Sequence, residues 1–177
     1  MGDIVDTIKA KMLDKLKTPD DLLTFKLGSA LTMENKVLGM LNKLEQETQR
    51  SELKELFSHH ADETRGQIEN LEQAFSALGA TADDKPCLPI DAIDAQGTAT
   101  IKATQDRLVD AVILSGAAET EHFEIAVYES LITLAESMGK QDIAGLMREN
   151  LQQEEHTLDE VKQAMQKIAP VMAQQAG

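Results

Sequence analysis

Residues 119–131 read ETEHFEIAVYESL and set Glu121 and Glu124 three positions apart, a separation that places two carboxylates on one face of a helix. The stretch SHHADET at 58–64 does the same with an imidazole and a carboxylate, His60 and Glu63. Such a donor set can hold metal. Because oxygen predominates in it, iron or manganese is favoured over zinc.

The elements that must position these groups are helices. Ile4, Ile8, Met12 and Leu16 recur every four residues and predict a leading helix over 3–17. Thr18 and Pro19 then supply an N-cap and a first helical residue for a long helix running to Glu47. A second long helix is expected from Ser51, as its N-cap, to Leu78. Residues 80–104 contain two prolines, Gly97 and several threonines, and read as a crossover with at most a short helical turn near IDAID. A third long helix is expected from Gln105 to Met138, with Gly139 in the stop position, and a fourth from Gln141 to Ala169 before Pro170. No strand pattern competes. The expected fold is therefore all-α: two helical hairpins joined by a long crossover into a four-helix bundle over 18–170. An N-terminal helical extension over 1–17 precedes it, and a flexible tail over 171–177 follows.

Steps of three and four residues trace one buried stripe per long helix. The first carries Leu27, Leu31, Glu34, Leu38 and Leu41. The second carries Leu53, Leu56, His60, Glu63, Gln67 and Leu71, and the third Leu114, Ala117, Glu121, Glu124, Tyr128 and Leu131. The fourth carries Met147, Leu151, Glu154, Leu158, Val161 and Met165. Glutamate interrupts every stripe. Glu34 and Glu63 are equidistant from the turn near Thr48, and Glu124 and Glu154 from Gly139. At 1.5 Å per residue all four lie about 22 Å from their turns, so each hairpin brings its pair to one level.

Burying ionised carboxylates costs several kcal/mol each. Two divalent cations would offset four of the five charges on Glu34, Glu63, Glu121, Glu124 and Glu154. The other reading has these groups snorkelling outward at the edge of the seam, or protonated and paired with Gln67, Tyr128 or each other.

The formal charge of −14 repels phosphate backbones and anionic membrane surfaces while concentrating cations. Nucleic acid and membrane are excluded as expected partners. Aromatics are 3% of the chain with no Trp, too few for base stacking. A single cysteine, Cys87, rules out an intramolecular disulfide. The acidic start MGDIVD and the short apolar runs give neither a signal peptide nor a membrane span, so the cytoplasm is the expected compartment.

HADETRGQIENLEQAF (60–75), EHFEIAVYESLITLAESMG (121–139) and ENLQQEEHTLDEV (149–161) resemble segments of the YciF-type ferritin-like proteins, bacterial stress-associated proteins of unknown activity. The likeness runs from about Thr18 to Met165. It implies a ferritin-like or rubrerythrin-like bundle, a homodimer, and a dinuclear metal site on Glu34, His60, Glu63, Glu121, Glu124 and Glu154. Ferritin-like di-iron sites usually place His three residues after Glu on two helices, whereas here those positions hold Gly66 and Thr157. His60, three before Glu63, is the available substitute. His59, His122 and His156 point away from the seam. The functional expectation is a dinuclear iron or manganese protein that reacts with peroxide or oxygen. Metal sequestration without turnover, or a metal-free stress protein acting through an interaction surface, are its alternatives.

Overall fold

The computed structural model describes residues 16–174, with side chains described to 169. The helix expected over 3–17 falls outside these residues except for its last two positions. Five helices follow in order: α1 Pro19–Glu47, α2 Ser51–Ala77, α3 Leu88–Ala103, α4 Asp106–Ser137 and α5 Gln141–Gln174. The four long ones form the expected bundle. The α4/α5 and α1/α2 hairpins are its most extensive pairings, and α2 joins the hairpins by packing on α5.

Local chemistry sets the ends. The Thr18 hydroxyl accepts from the Asp21 N–H at 3.0 Å while Asp21 Oδ2 accepts from the Thr18 N–H at 2.9 Å, a reciprocal capping box. Gly79 and Gly139 take φ of +67° and +71° just past α2 and α4. There Ala80 N–H reaches the Phe75 carbonyl at 3.0 Å and Lys140 N–H the Ala135 carbonyl at 2.9 Å, the bond that ends a helix on a left-handed residue. The α1–α2 turn is held from across the bundle instead. Buried Asp110 of α4 accepts from the Thr48 hydroxyl at 2.7 Å and the Gln49 N–H at 3.0 Å. Arg50, not Ser51, occupies the cap of α2, and its side chain makes no cap bond.

Two expectations fail on helix extent. The crossover contains the 16-residue helix α3 rather than a short turn. Its Gly and Thr have poor helix propensity, but tertiary packing overrides that: Ile90 is fully buried, and Lys36 of α1 pairs with Asp91 at 3.1 Å. At the other end, α5 runs through Pro170 to Gln174, although an interior proline removes one helical hydrogen bond and crowds the carbonyl four residues before it. Only residues 175–177 of the expected tail lie outside the described chain.

The core is aliphatic with two phenylalanines. Leu23, Leu27 and Met33 of α1 and Leu71 and Phe75 of α2 are fully buried, as are Leu114 and Leu131 of α4 and Met147 of α5. Each such side chain contributes about 1.5–3 kcal/mol. The segment before α3 crosses α1 at Gly28, where the Lys85 N–H donates to the Gly28 carbonyl at 3.1 Å. A Cβ there would collide with the Asp83 carbonyl oxygen and lie 2.7 Å from Lys85 Cγ.

Candidate metal centre

At mid-height the aliphatic core gives way to carboxylates. Glu34, Glu124 and Glu154 are 0% exposed, Glu121 is 2% and His60 is 3%. One ligand atom from each of His60, Glu121, Glu124 and Glu154 lies within 4.8 Å of the others. α2, α4 and α5 therefore converge on one point. His60 stands between two of the carboxylates, with Nδ1 3.5 Å from Glu121 Oε1 and Nε2 3.5 Å from Glu154 Oε2. These contacts are too long for strong N–H···O hydrogen bonds.

Glu34 enters from α1. Its Oε1 accepts a short hydrogen bond from the Tyr128 hydroxyl, which in turn accepts from Asn150 Nδ2 at 3.0 Å. Asn150 also donates to the Gln67 carbonyl at 3.2 Å, and its Oδ1 accepts from Asn70 Nδ2 at 2.8 Å. A polar chain thus fixes one oxygen of Glu34 and leaves the other without a donor.

Glu63 sits differently. It is half-buried at the edge of the group, with Oε2 accepting from the Thr157 hydroxyl at 3.4 Å and Oε1 3.6 Å from His59 Nε2. Its charge still reaches Glu121. Thr157 is 1% exposed, so the position three after Glu154 faces the seam with a hydroxyl instead of an imidazole. His59, His122 and His156 are exposed, as their angular positions require.

The electrostatics are those of crowded, dehydrated acids. Burial, then the Glu154 charge, raises the carboxyls of Glu34, Glu121 and Glu124 well above their ordinary value. The Tyr128 bond pulls Glu34 the other way. Burial, followed by the Glu34 charge, also pushes the Tyr128 phenol up and keeps its proton in place. Glu34 Oε2, His60 Nε2, Glu121 Oε2 and both oxygens of Glu124 and Glu154 are buried without hydrogen-bond partners. Native proteins leave few such atoms. Protons shared between carboxyls satisfy some of them, whereas a cation satisfies the lone pairs and the charge together. The residues therefore fit a metal site with mostly oxygen donors.

Asn150 escaped the sequence reading. From Met147 the stripe continues equally well by three or four residues. Hydropathy selected Leu151, which is half-buried, while Asn150 is 0% exposed. Its spacing of four from Glu154 was the available signal.

The residues 18–174 match the family model described as "Domain of unknown function (DUF892)". The chain is 31% identical over 144 residues to Protein YciF of Escherichia coli strain K12, covering 80% of this chain and 87% of that one. The crystal structure of the E. coli stress protein YciF superposes with a TM-score of 0.83 at 27% identity, over 88% of this chain and 99% of that chain. YcfI of Rhodopseudomonas palustris, described as a candidate structural protein, superposes with a TM-score of 0.82 at 29% identity, over 85% and 96%.

Proposed function

The chain belongs to the DUF892 family, and on that premise we propose that it is a dinuclear metal protein of the stress response, holding iron or manganese in the carboxylate seam. The observation that carries this reading is the set of buried oxygens on Glu121, Glu124 and Glu154 that no donor satisfies, gathered with His60 around one point. His60, Glu121, Glu124 and Glu154 would hold one ion, and Glu34 and Glu63 would extend the set toward a second. Bound there, iron or manganese would supply redox chemistry toward peroxide or oxygen.

The protein's own groups set the conditions for that chemistry. Tyr128, with its proton retained, donates to Glu34 Oε1 and leaves Oε2 free of any donor. Asn150 locks the phenol by donating to it, so the two polar side chains act as a bracket rather than as bases. Thr157 orients Glu63 at the exposed edge. The complete burial of Glu34, Glu124 and Glu154 strengthens charge interactions within the seam.

The description of YcfI favours a second reading, a metal-free structural protein acting through its surface. Metal analysis separates the two. After dialysis against Mn(II) or anaerobic Fe(II), the metal reading expects two ions retained per chain, and Glu124→Ala should retain fewer. Fe(II)-loaded wild type should then consume peroxide faster than the same Fe(II) with Glu124→Ala. Retention with equal rates points to sequestration, and no retention supports the structural reading. The assembly we propose is a cytoplasmic homodimer.

A further inference from the structure

Helix α3 does not seal against the bundle. Between α1, α3 and α4 lies a cavity of about 300 Å³, at the lower end of the roughly 300–1,000 Å³ typical of small-molecule sites. Its walls are aliphatic: Leu41 and Leu44 from α1, Ile93 and Ile101 from α3, Ile113 and Ala117 from α4. Among the described residues no aromatic ring lines it. Two glycines make the space. Gly97 of α3 and Gly116 of α4 both line the cavity, and a Cβ on either would meet nothing within 4 Å.

Polar groups interrupt the aliphatic wall on α3 and α4. On α3 the Thr98 hydroxyl donates to half-buried Asp94 at 3.4 Å. Thr120 lines the cavity but spends its hydroxyl on the Gly116 carbonyl at 2.9 Å. Glu121 also lines it, is 2% exposed, and has Oε2 without a hydrogen-bond partner. The same residue belongs to the four-membered His60 group. The cavity and the candidate metal centre therefore meet at Glu121. Lys43, Glu47 and Lys102 mark the exposed end of the lining, so the cavity runs from charged surface to buried carboxylate.

The geometry points to this cavity as a binding pocket for a small aliphatic molecule, whose chain lies between α1, α3 and α4 and reaches Glu121 at the metal group. The walls suit a flexible hydrocarbon chain better than a planar ring. The assignment deepens the metal reading and rests on it for any chemistry at Glu121, while the pocket itself does not.

The test titrates the full chain calorimetrically with 1-octanol and, as a ring-bearing comparison, benzyl alcohol. Thermal melts with chelator and with Mn(II) are run on the same proteins. Wild type should bind 1-octanol saturably and more tightly than benzyl alcohol. Gly116→Leu fills the cavity and should weaken octanol binding at least about tenfold, while Gly39→Leu on the exposed face of α1 should leave it unchanged. Gly97→Leu fills the same space from α3 and serves if Gly116→Leu does not fold. Unsaturable binding, equal affinity for the two alcohols, or affinity retained in the filled variants would overturn the pocket. A persisting Mn(II) shift in that case leaves the metal reading intact. Saturable octanol binding without any Mn(II) shift in wild type supports the pocket and removes the metal centre.

Discussion

Tyr128 is the only tyrosine in the chain, and two buried groups depend on its hydroxyl. Tyr128→Phe keeps the ring but strips Glu34 Oε1 of its donor and Asn150 of an acceptor. Leaving buried polar atoms unpaired costs about 1–3 kcal/mol. Urea unfolding of the chelator-treated variant should show a loss of that size, and a change within error would mean that the bracket is not rigid. The burial of most of the candidate site residues is legible in the sequence. Glutamate on an apolar stripe is a conspicuous anomaly, and Glu34, His60, Glu121, Glu124 and Glu154 all proved buried. Glu63, expected on the seam, is half-buried at its edge, and Thr64, 0% exposed, takes the inward position beside it. The threonine can do so because its hydroxyl donates to the His60 carbonyl at 2.9 Å. Asn150 was missed because a neutral amide and a leucine compete for the same turn of α5, and hydropathy alone favours the leucine.

Among the elements, α3 and the segment before it are the parts that sequence patterning hid. Ile90, Ile93, Gly97 and Ile101 form a stripe at helical spacing, but a glycine in it and threonines around it read as loop. Salt bridges from Lys36 to Asp91 and Asp94 and the burial of Ile90 supply what propensity lacks. The crossing at Gly28 gives a sharp test of this packing. Gly28→Ala should destabilise by about 1–3 kcal/mol through overpacking against Asp83 and Lys85. Gly39→Ala, in the same helix with open space around a Cβ, should stabilise by up to about 1 kcal/mol through helix propensity. Denaturant melts of the pair check both signs. Equal effects would mean that the chain does not cross α1 at Gly28. The long helices were readable because Thr18, Gly79 and Gly139 punctuate them with specific backbone chemistry.

At the scale of the whole molecule, 31 acidic residues against 17 basic ones make charge the dominant liability, and the seam concentrates it. For Glu34, Glu121 and Glu124 the folded carboxyl pKa lies above its unfolded value. The folded chain therefore holds protons that the unfolded chain has already released, and stability falls as pH rises through that window. Below the ordinary glutamate range both states are protonated and the penalty vanishes. Chelator-treated protein should thus melt at a higher temperature at pH 5.5 than at pH 8. Surface repulsion acts in the same direction, so the seam is identified by Glu124→Gln narrowing the gap. For the assembly, light scattering of the full chain should give twice the 19.4 kDa chain mass, and a monomer mass would remove the dimer. Paired thermal melts of wild type and Glu124→Leu, each with chelator and with Mn(II), decide whether the seam holds metal. Without metal the leucine variant should melt higher, because a buried carboxylate without a partner has been replaced by an apolar side chain. With Mn(II) the order should reverse. Binding to the folded state alone stabilises wild type by about 2.7 kcal/mol at a hundredfold excess over Kd, and the variant should lose most of that increment. A wild-type protein whose melting temperature does not respond to Mn(II) or anaerobic Fe(II), or a Glu124→Leu variant that responds equally, would mean that the carboxylate seam is not a metal centre.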